Sequence, residues 1–489
     1  MSQTELHTLI PAGLLMAAAM TVLLADLNRK AHNVFLIPYL SLLGALMAGG
    51  SLLILWGKTT QAFNGSLVLD GFGAFVGLLV CAGTALSVLL SMEYVPRIGV
   101  PAGEYYALLL FGASGMVLLA MSNDLMMIFL SIELLSLCVY VLTGMTRTRL
   151  AANEAAMKYF ILGAFSSGFL LFGMALLYGS TGQVSLPEIA SSVRDGAANL
   201  HLLYPGVALM LVGIGFKVGA VPFHMWVPDA YTGAPASVTA FMSVTVKAAG
   251  FAALVRMLLV GLPPGGFHWV LAIWVLAALT MIVGNVLALA QTNLKRMLAY
   301  SSIAHTGYLL VGVASAAHTA GDPAVAAEAG GAVLFYLAAY TFMNLGAFAL
   351  VCHLGSGDED FDSLERFAGL AHRKPLHAAG MTVVLVSLAG IPPTAGFMGK
   401  LYLFKAAVSA GFVSLALIGV LATMVSLYYY LRPVVLMYMR EPTDEVLPTT
   451  GGWSADFVLW VTAGTTLLLG ILPSTAFEVT VQSLRSLFG

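Results

Sequence analysis

Apolar segments of about 20 residues follow one another along the whole chain, and that is the length a helix needs to cross the hydrocarbon core of a bilayer. A backbone in lipid must satisfy its own hydrogen bonds, so such segments form helices. We therefore predict an all-α integral membrane protein with about fourteen transmembrane helices. The segments lie near 8–26, 34–56, 71–94, 104–121, 123–145, 157–179, 203–227, 235–260, 267–290, 297–317, 328–353, 376–411, 412–438 and 454–474.

The composition agrees with a lipid bilayer as the surrounding medium. Of the 489 residues, 60% are hydrophobic and only 9% are charged, whereas a soluble domain carries about 25% charged residues. The net charge of −2 argues against a nucleic-acid partner, because no basic patch is present to neutralise phosphates. The 3 cysteines are isolated within apolar runs, so we expect no disulfide, no metal site and no iron–sulfur cluster.

Lysine and arginine alternate between loops in a way that sets the orientation. The odd-numbered loops are rich in them, with Arg29, Lys30, Arg97, Arg147, Arg149, Lys295, Arg296, Arg366, Arg373, Lys374 and Arg440. The even-numbered loops and the C-terminal tail carry only Lys58, Arg194 and Arg485. The positive-inside rule then places the odd loops in the cytoplasm. Both termini are expected on the outer, periplasmic side of the inner (plasma) membrane.

The segments also repeat in two sets of five. Segments four to eight form one set and segments nine to thirteen the other, and the fourth member of each set is interrupted by proline, at Val221-Pro222 and at Pro392-Pro393. Helices 7 and 12 are therefore predicted to be discontinuous. Because five is odd, the second set starts from the opposite face of the membrane, which predicts two inverted five-helix repeats. We divide the chain into three N-terminal helices at 1–103, repeats at 104–260 and 261–440, and a C-terminal helix at 441–489.

Five titratable residues lie near the centres of apolar segments: Glu133, Lys217, Lys247, His305 and Lys400. A lysine at mid-membrane costs roughly 2.5–3.5 kcal/mol on insertion scales, so it usually has a function or a partner. The five groups are spread one per helix. This spacing predicts a file of protonatable sites across the bundle rather than a metal cage.

The surroundings of these residues predict their chemistry. A pair between Glu133 and Lys217 that forms and breaks would change the proton affinity of both groups. The break at Pro222 frees backbone carbonyls that can solvate the Lys217 ammonium and admit water. Lys400 follows the second break by less than two turns and can meet water there. For His305 two interpretations are open, a satisfied polar group of the core or a relay that accepts one proton while donating another.

Three residues at the cytoplasmic end of the first repeat are candidates for a proton entrance. His224 and Asp229 flank the end of the first broken helix, where capping is the equal alternative. Lys158 begins the sixth segment, where it is either part of the entrance or an interfacial anchor.

Other polar and aromatic residues have plainer interpretations. Lys295 and Arg296 lie at a membrane edge, so we expect them to be solvated or paired. The run Tyr428-Tyr429-Tyr430 is interpreted either as interfacial belt aromatics or as packing residues.

Four stretches carry a family resemblance: EYYALLLFGASGMVLLAMSNDLMMIFLSIELLSLCVYVL, GFKVGAVPFHMWVPDAYTGAPASVTAFMSVTVKAAG, LKRMLAYSSIAHTGYLLVG and GIPPTAGFMGKLYLF. They resemble the antiporter-like membrane subunits of respiratory NADH-quinone oxidoreductase (complex I), and among these subunit N. The resemblance runs from about residue 100 to 430. The same family includes subunits of multi-subunit sodium/proton antiporters.

The resemblance implies a role for each central residue. In such proteins the residue matching Glu133 modulates the one matching Lys217 in a cytoplasmic half-channel within the first repeat. Lys247 and His305 would connect the two halves. Lys400 would pass the proton through the outer half-channel of the second repeat.

The resemblance also implies a division of labour with partner subunits. NADH, FMN, iron–sulfur clusters and quinone would be handled by other membrane-arm and peripheral-arm subunits, with a neighbouring antiporter-like subunit and small membrane subunits in contact with this chain. The chain itself shows no P-loop or Rossmann fingerprint, so we expect it to bind no cofactor.

The leading hypothesis is a proton-translocating membrane-arm subunit of NADH:quinone oxidoreductase, driven by quinone reduction elsewhere in the complex. One alternative is a subunit of a sodium/proton antiporter with the same fold. A second alternative is a non-pumping structural membrane subunit whose lysines are merely paired.

Overall fold

The computed structural model describes residues 3–27, 35–262, 267–355, 362–442 and 452–488. Most of these residues are helical, and the sheet found among them is one short two-stranded hairpin. Arg29 and Lys30, which contribute to the predicted orientation, lie outside the described residues.

The N-terminal part consists of three long helices and a hairpin. Asp70 begins the third helix by accepting the backbone N–H of Gly73 at 2.7 Å, as an N-cap aspartate does. The elements are α1 (Gln3–Leu27), α2 (Leu36–Ile54), β1 (Thr60–Ala62), β2 (Leu67–Leu69), α3 (Gly71–Ser91) and the short α4 (Tyr94–Ile98), with the strands antiparallel.

The first repeat follows. Its first two helices are joined through Ser122, Asn123 and Asp124 alone and form a tight hairpin. The elements are α5 (Ala102–Met121), α6 (Leu125–Thr143), α7 (Leu150–Thr181), α8 (Leu186–Arg194), α9 (Leu200–Val218), α10 (Trp226–Gly233), α11 (Ala236–Phe241), a π-helical turn (Met242–Val246) and α12 (Lys247–Val260).

The second repeat and the C-terminal helices complete the chain. The elements are α13 (Phe267–Leu289), α14 (Leu294–His318), α15 (Pro323–Leu354), a 3₁₀ turn (Leu364–Phe367), α16 (Leu370–Arg373), α17 (Pro375–Ala389), α18 (Ala395–Ser409), α19 (Val413–Met439), α20 (Trp453–Ile471) and α21 (Pro473–Arg485).

The predicted number of membrane crossings agrees with this architecture. In the described part of the chain, 13 helices are long and apolar enough to span a bilayer. The discontinuous pair α17 and α18 accounts for the remaining predicted segment, since neither half is long enough alone. An all-α membrane fold with discontinuous helices 7 and 12 is therefore confirmed.

The two sets of five share details that periodicity alone did not reveal. The third helix of each set, α7 and α15, has 32 residues. The fourth of each ends at a left-handed glycine, Gly219 with φ 76° and Gly390 with φ 84°. A proline follows three residues later in both, Pro222 and Pro393. The lysines differ in position, because Lys217 precedes its break and Lys400 follows its own.

The core is formed by three helices, of which α12 carries Lys247 and α14 carries His305. In the most apolar 18-residue stretch within residues 236–260, 100% of the residues are buried in the protein. The corresponding shares in α14 and α15 are 94% and 89%. In α1 and in α7, only 33% of the residues of this stretch are buried. The bundle therefore encloses α12, α14 and α15, while α1 and α7 turn apolar side chains outward.

Candidate functional site

Four of the five predicted mid-membrane residues are buried in the protein. Lys217 and Lys247 are each 4% exposed, Lys400 is 3% exposed and His305 is 1% exposed. Glu133, on α6, is only half-buried. Buried cations need a hydrogen-bond acceptor or an aromatic face, and each lysine has both.

Lys217 is held by α6 and by two tyrosine rings. Its Nζ donates to Ser136 Oγ at 2.7 Å and lies 5.6 Å from the ring centre of Tyr140 and 5.8 Å from that of Tyr159. A desolvated cation–π contact of this kind contributes about 2 kcal/mol. Ser136 follows Glu133 by three residues, so the two share one face of α6.

Glu133 does not form an ion pair with Lys217. Its carboxylate instead accepts a hydrogen bond from Ser167 on α7, and the Lys217 amine is occupied by Ser136. The predicted pair is therefore open in this structure. One turn of α6, bearing the Ser136 hydroxyl, separates the two charged groups.

The carbonyls at the end of α9 are used by other donors in this structure, and the predicted entry of water at the first break stays a prediction. The carbonyl oxygen of Phe216 accepts from Trp226 Nε1 at 2.8 Å, and that of Val218 accepts from Thr306 Oγ1 at 2.7 Å. These side chains satisfy the carbonyls that the end of α9 leaves free. The amine of Lys217 accordingly turns to α6.

Lys247 follows directly after the π-helical turn of Met242–Val246, a distortion frequent at functional sites. Its Nζ donates to both the carbonyl oxygen and the Oγ of Ser302 on α14, each at 2.5 Å. It also lies 4.8 Å from the ring centre of Tyr340. Lys247 is thereby attached to the helix that carries His305.

His305 has a hydroxyl partner on each ring nitrogen. Nδ1 lies 2.6 Å from the hydroxyl of Tyr336 and Nε2 lies 2.9 Å from that of Tyr430. The Tyr430 hydroxyl also hydrogen bonds with Ser301. A neutral imidazole accepts at one nitrogen and donates at the other, so both tyrosines can be satisfied at once.

Lys400 lies at the second break. Its Nζ donates to the carbonyl oxygens of Leu388 and Ala389, both at 3.1 Å, and lies 4.9 Å from the ring centre of Tyr308. These carbonyls end α17, where the helix dipole favours a cation. The second break therefore supplies carbonyl acceptors for its lysine, and the predicted access of Lys400 to water there stays a prediction.

Helix α14 joins the two lysines of the second half. Ser302, His305 and Tyr308 follow one another at intervals of three residues on one face of α14. Ser302 binds Lys247, His305 lies between, and Tyr308 lies under Lys400.

The structure favours an anchoring role for the residues of the predicted entrance. Asp229 accepts from Lys158 Nζ at 2.9 Å and from Arg296 at 3.0 Å, and Lys158 also pairs with Glu154 at 2.7 Å. Burial alone would raise the pKa of Asp229, but the hydrogen bonds from Lys158 and Arg296 outweigh it and lower that pKa. A carboxylate held ionised in this way is a poor proton acceptor near neutral pH.

His224 differs from its neighbours. It is 8% exposed, and its Nδ1 atom has no hydrogen-bond partner among the described residues. The structure places it beside the first break but does not join it to Lys158 or Asp229.

Comparison with known proteins places the chain in a family of membrane proteins. Residues 122–426 match the sequence model of a family described as "NADH:quinone oxidoreductase/Mrp antiporter, TM". The chain belongs to this family. It is 46% identical over 483 residues to NADH-quinone oxidoreductase subunit N of Trichlorobacter lovleyi, covering 98% of this chain and 97% of that protein.

Solved structures extend the comparison. A chain of respiratory complex I from Thermus thermophilus superimposes with a TM-score of 0.81 at 34% identity, over 96% of this chain and 98% of that one. A chain of the Mrp complex from a Dietzia species has a TM-score of 0.86 over 100% of this chain and 98% of that one. Its identity is 23%, so it is similar in fold alone.

Several side chains of the site were not found from the sequence. They are the hydroxyl groups that surround the titratable residues: Ser136, Ser302, Tyr336, Tyr340 and Tyr430. Tyr430 stood in a run that we interpreted as belt or packing residues; it is 0% exposed, whereas Tyr428 is 65% exposed. Spacing within one helix, as for Ser302 and His305, was the available signal.

Two buried cations were also misjudged. Arg256, which the sequence analysis did not single out, donates to both carboxylate oxygens of Asp70 at 2.9 and 3.0 Å. Lys295, which we expected at a membrane edge, is 0% exposed and donates to the carbonyl oxygen of Ala234 at 2.7 Å. Its helix begins inside the protein, so a solvated lysine there was the wrong alternative.

Proposed function

We propose that this chain is a proton-translocating membrane-arm subunit of an NADH:quinone oxidoreductase. The observation that carries the proposal is the arrangement along α14, where Ser302, His305 and Tyr308 lie between two buried lysines, Lys247 and Lys400. A group in this arrangement can receive a proton on one side and release it on the other. An inert scaffold has no need for it.

In this proposal the first repeat loads the proton. Closing the gap between Glu133 and Lys217 favours the charged lysine, and reopening it favours release. The Ser136 hydroxyl, which already accepts from Lys217, is the group that the lysine leaves when it moves toward Glu133.

Transfer toward the second repeat crosses the interface of α9 and α12. A methyl group built on Gly250 would lie 3.6 Å from Cγ of Lys217, so the stem of that lysine packs against α12. Gly250 is three residues from Lys247, on the same face of the helix. The two lysines therefore occupy neighbouring surfaces, and we expect water to complete the connection.

The second repeat carries the proton onward through His305. The hydroxyls of Tyr430 and Tyr336 contact its two ring nitrogens. The Tyr336 ring packs where a methyl group on Gly399 would lie, so Tyr336 contacts the residue next to Lys400 in the chain. We propose that Lys400 releases the proton to the outer side.

The partners proposed for the chain follow from its relatives. The similar proteins are named as subunits of NADH-quinone oxidoreductase, so we propose that this chain assembles with the other subunits of such a complex. NADH, FMN, iron–sulfur clusters and quinone would then be bound by those subunits and none of them by this chain. We also propose that both chain termini lie on the outer side of the membrane.

The proposal is tested with Lys217→Ala in the assembled complex. In sealed inverted vesicles, NADH-driven proton uptake should be lost while the complex still assembles. Lys58→Ala, at an exposed loop position, serves as the control and should pump normally. Unchanged pumping in Lys217→Ala would support a structural subunit, and sodium-dependent proton flux without NADH would support an antiporter.

A further inference from the structure

Two histidines and an aspartate meet at one edge of the bundle, away from the lysines. His353 is the penultimate residue of α15, His377 is the third residue of α17 and Asp456 is the fourth of α20. Asp456 Oδ1 lies 2.8 Å from His353 Nδ1 and 2.9 Å from His377 Nε2. The three ligand atoms all lie within 4.8 Å of one another.

Hydrogen bonding leaves this cluster incomplete. His353 Nδ1 is buried and has no hydrogen-bond partner among the described residues, because the direction of its contact with Asp456 is unfavourable. The His353 side chain is 4% exposed. Leaving a buried polar atom in this way is unfavourable, and a bound cation would give it a partner.

We propose that His353, His377 and Asp456 bind a Zn²⁺ ion. Two imidazole nitrogens and one carboxylate oxygen form a donor set typical of zinc, whereas magnesium and calcium prefer oxygen ligands. Tetrahedral ligands at about 2.0–2.1 Å from zinc lie roughly 3.3 Å apart. The two nitrogen–oxygen contacts therefore need to open by about 0.5 Å. The two histidine nitrogens, which lie within 4.8 Å of each other, need to take up the same separation.

The surroundings of the cluster give access to it. The Asp456 side chain is 38% exposed and that of His377 is 19% exposed, so the fourth ligand position faces an accessible edge. Lys374 Nζ lies 3.1 Å from the other ring nitrogen of His353. Zinc at Nδ1 needs the ring proton on that other nitrogen, so the Lys374 ammonium has to turn away when zinc binds. Because Lys374 is a cation beside the site, binding depends on the negative charge of Asp456.

A zinc ion there would join three helices. One of them, α17, ends at the carbonyls that hold Lys400. Zinc should therefore restrain the first half of the broken helix and slow proton release at Lys400. This consequence rests on the proposed function, whereas the binding of zinc does not.

Binding is tested on the full chain purified in detergent and freed of metal with a chelator. Equilibrium dialysis against ZnCl₂ should show one tightly bound ion. His377→Gln and Asp456→Asn should each weaken it by more than about tenfold, since even outer-shell changes commonly cost 10–100-fold. His372→Gln, an exposed histidine on α16, is the control and should bind like the wild type.

Equal binding by His377→Gln, Asp456→Asn and the wild type would overturn the site, and so would an equal loss in His372→Gln. If both ligand variants fail to fold, Co²⁺ added to the wild-type chain decides the question. Tetrahedral ligand-field bands with nitrogen ligands support the site, and their absence rejects it. In the assembled complex, zinc that binds without slowing proton translocation would reject the restraint of α17 but retain the site.

Discussion

The side-chain amine of Lys400 donates to the carbonyl oxygen of Ala389 at 3.1 Å, across the break that separates α18 from α17. Lys400 thereby caps the C-terminal end of α17, which is the other half of the same transmembrane segment. A favourable helix-end contact of this kind contributes about 0.3–1 kcal/mol, and up to about 2 kcal/mol when partly buried. A contact of this size is modest enough to break during the proposed transfer of a proton through Lys400.

Gly390→Ala tests whether this contact matters. A methyl group at Gly390 would lie 3.1 Å from both Cδ and Nζ of Lys400, at a φ of +84°. We expect Lys400 to be pushed off the carbonyls and proton translocation to fall. Gly411→Ala is the control, because it has a φ of +81° but nothing within 4 Å.

Both glycine variants should lose about 1–2 kcal/mol of stability from the left-handed backbone. Thermal unfolding in detergent measures this loss, and NADH-driven proton uptake measures the function. Equal proton uptake by the two variants would show that the position of the Lys400 amine is unimportant.

Tyr430→Phe removes the hydroxyl that contacts His305 Nε2 at 2.9 Å. A buried group left without its partner costs about 1–3 kcal/mol, so we expect proton translocation to slow by about tenfold or more. Tyr428→Phe, at a side chain that is 65% exposed, should have no effect. The rate of proton uptake in sealed vesicles separates the two, and a normal rate in Tyr430→Phe would remove this hydroxyl from the relay.

Asp229→Asn distinguishes an anchor from a proton entrance. The pKa of Asp229 is lowered in the folded protein. The ionised carboxylate therefore stabilises the fold at every pH above its ordinary pKa of about 3.9, and this stabilisation is lost only as the pH falls through the lowered pKa. The pairs are partly exposed, so we expect a loss below about 1 kcal/mol at neutral pH. Proton uptake should stay normal; a strong loss of uptake in a folded variant would favour the entrance.

Arg256→Ala tests the buried ion pair with Asp70. Removing one partner leaves an uncompensated carboxylate, so we expect a loss of about 3–5 kcal/mol. Asp70→Asn combined with Arg256→Met should recover much of it, because asparagine also caps helices. Thermal unfolding compares both variants with the wild type, and an Arg256→Ala variant as stable as the wild type would show that the pair contributes little.

The sequence was sufficient for the parts of this fold that depend on local patterns. Segment length and hydrophobicity located most helix ends to within about five residues, and proline located both breaks. The exceptions are α7, which begins seven residues earlier than predicted, and α9, which ends nine residues earlier. The same approach found the buried lysines, because a charge inside an apolar segment is conspicuous in one dimension. The roles assigned to Glu133, Lys217, Lys247, His305 and Lys400 stay predictions.

Contacts between distant segments were beyond such patterns. Ser136 and Lys217 are 81 residues apart, and Asp70 and Arg256 are 186 apart. His353, His377 and Asp456 come from three helices and show no ligand spacing. A serine or tyrosine in an apolar segment is ordinary by itself, so its partner has to be seen in three dimensions.

The most direct test of the proton route compares two lysines on one helix. Lys400 is buried, whereas Lys405, five residues later on α18, has a side chain that is 66% exposed. In sealed vesicles, NADH-driven proton translocation should fall at least about tenfold in Lys400→Met and stay at the wild-type rate in Lys405→Met. Equal rates in the two assembled variants would contradict a proton path through Lys400.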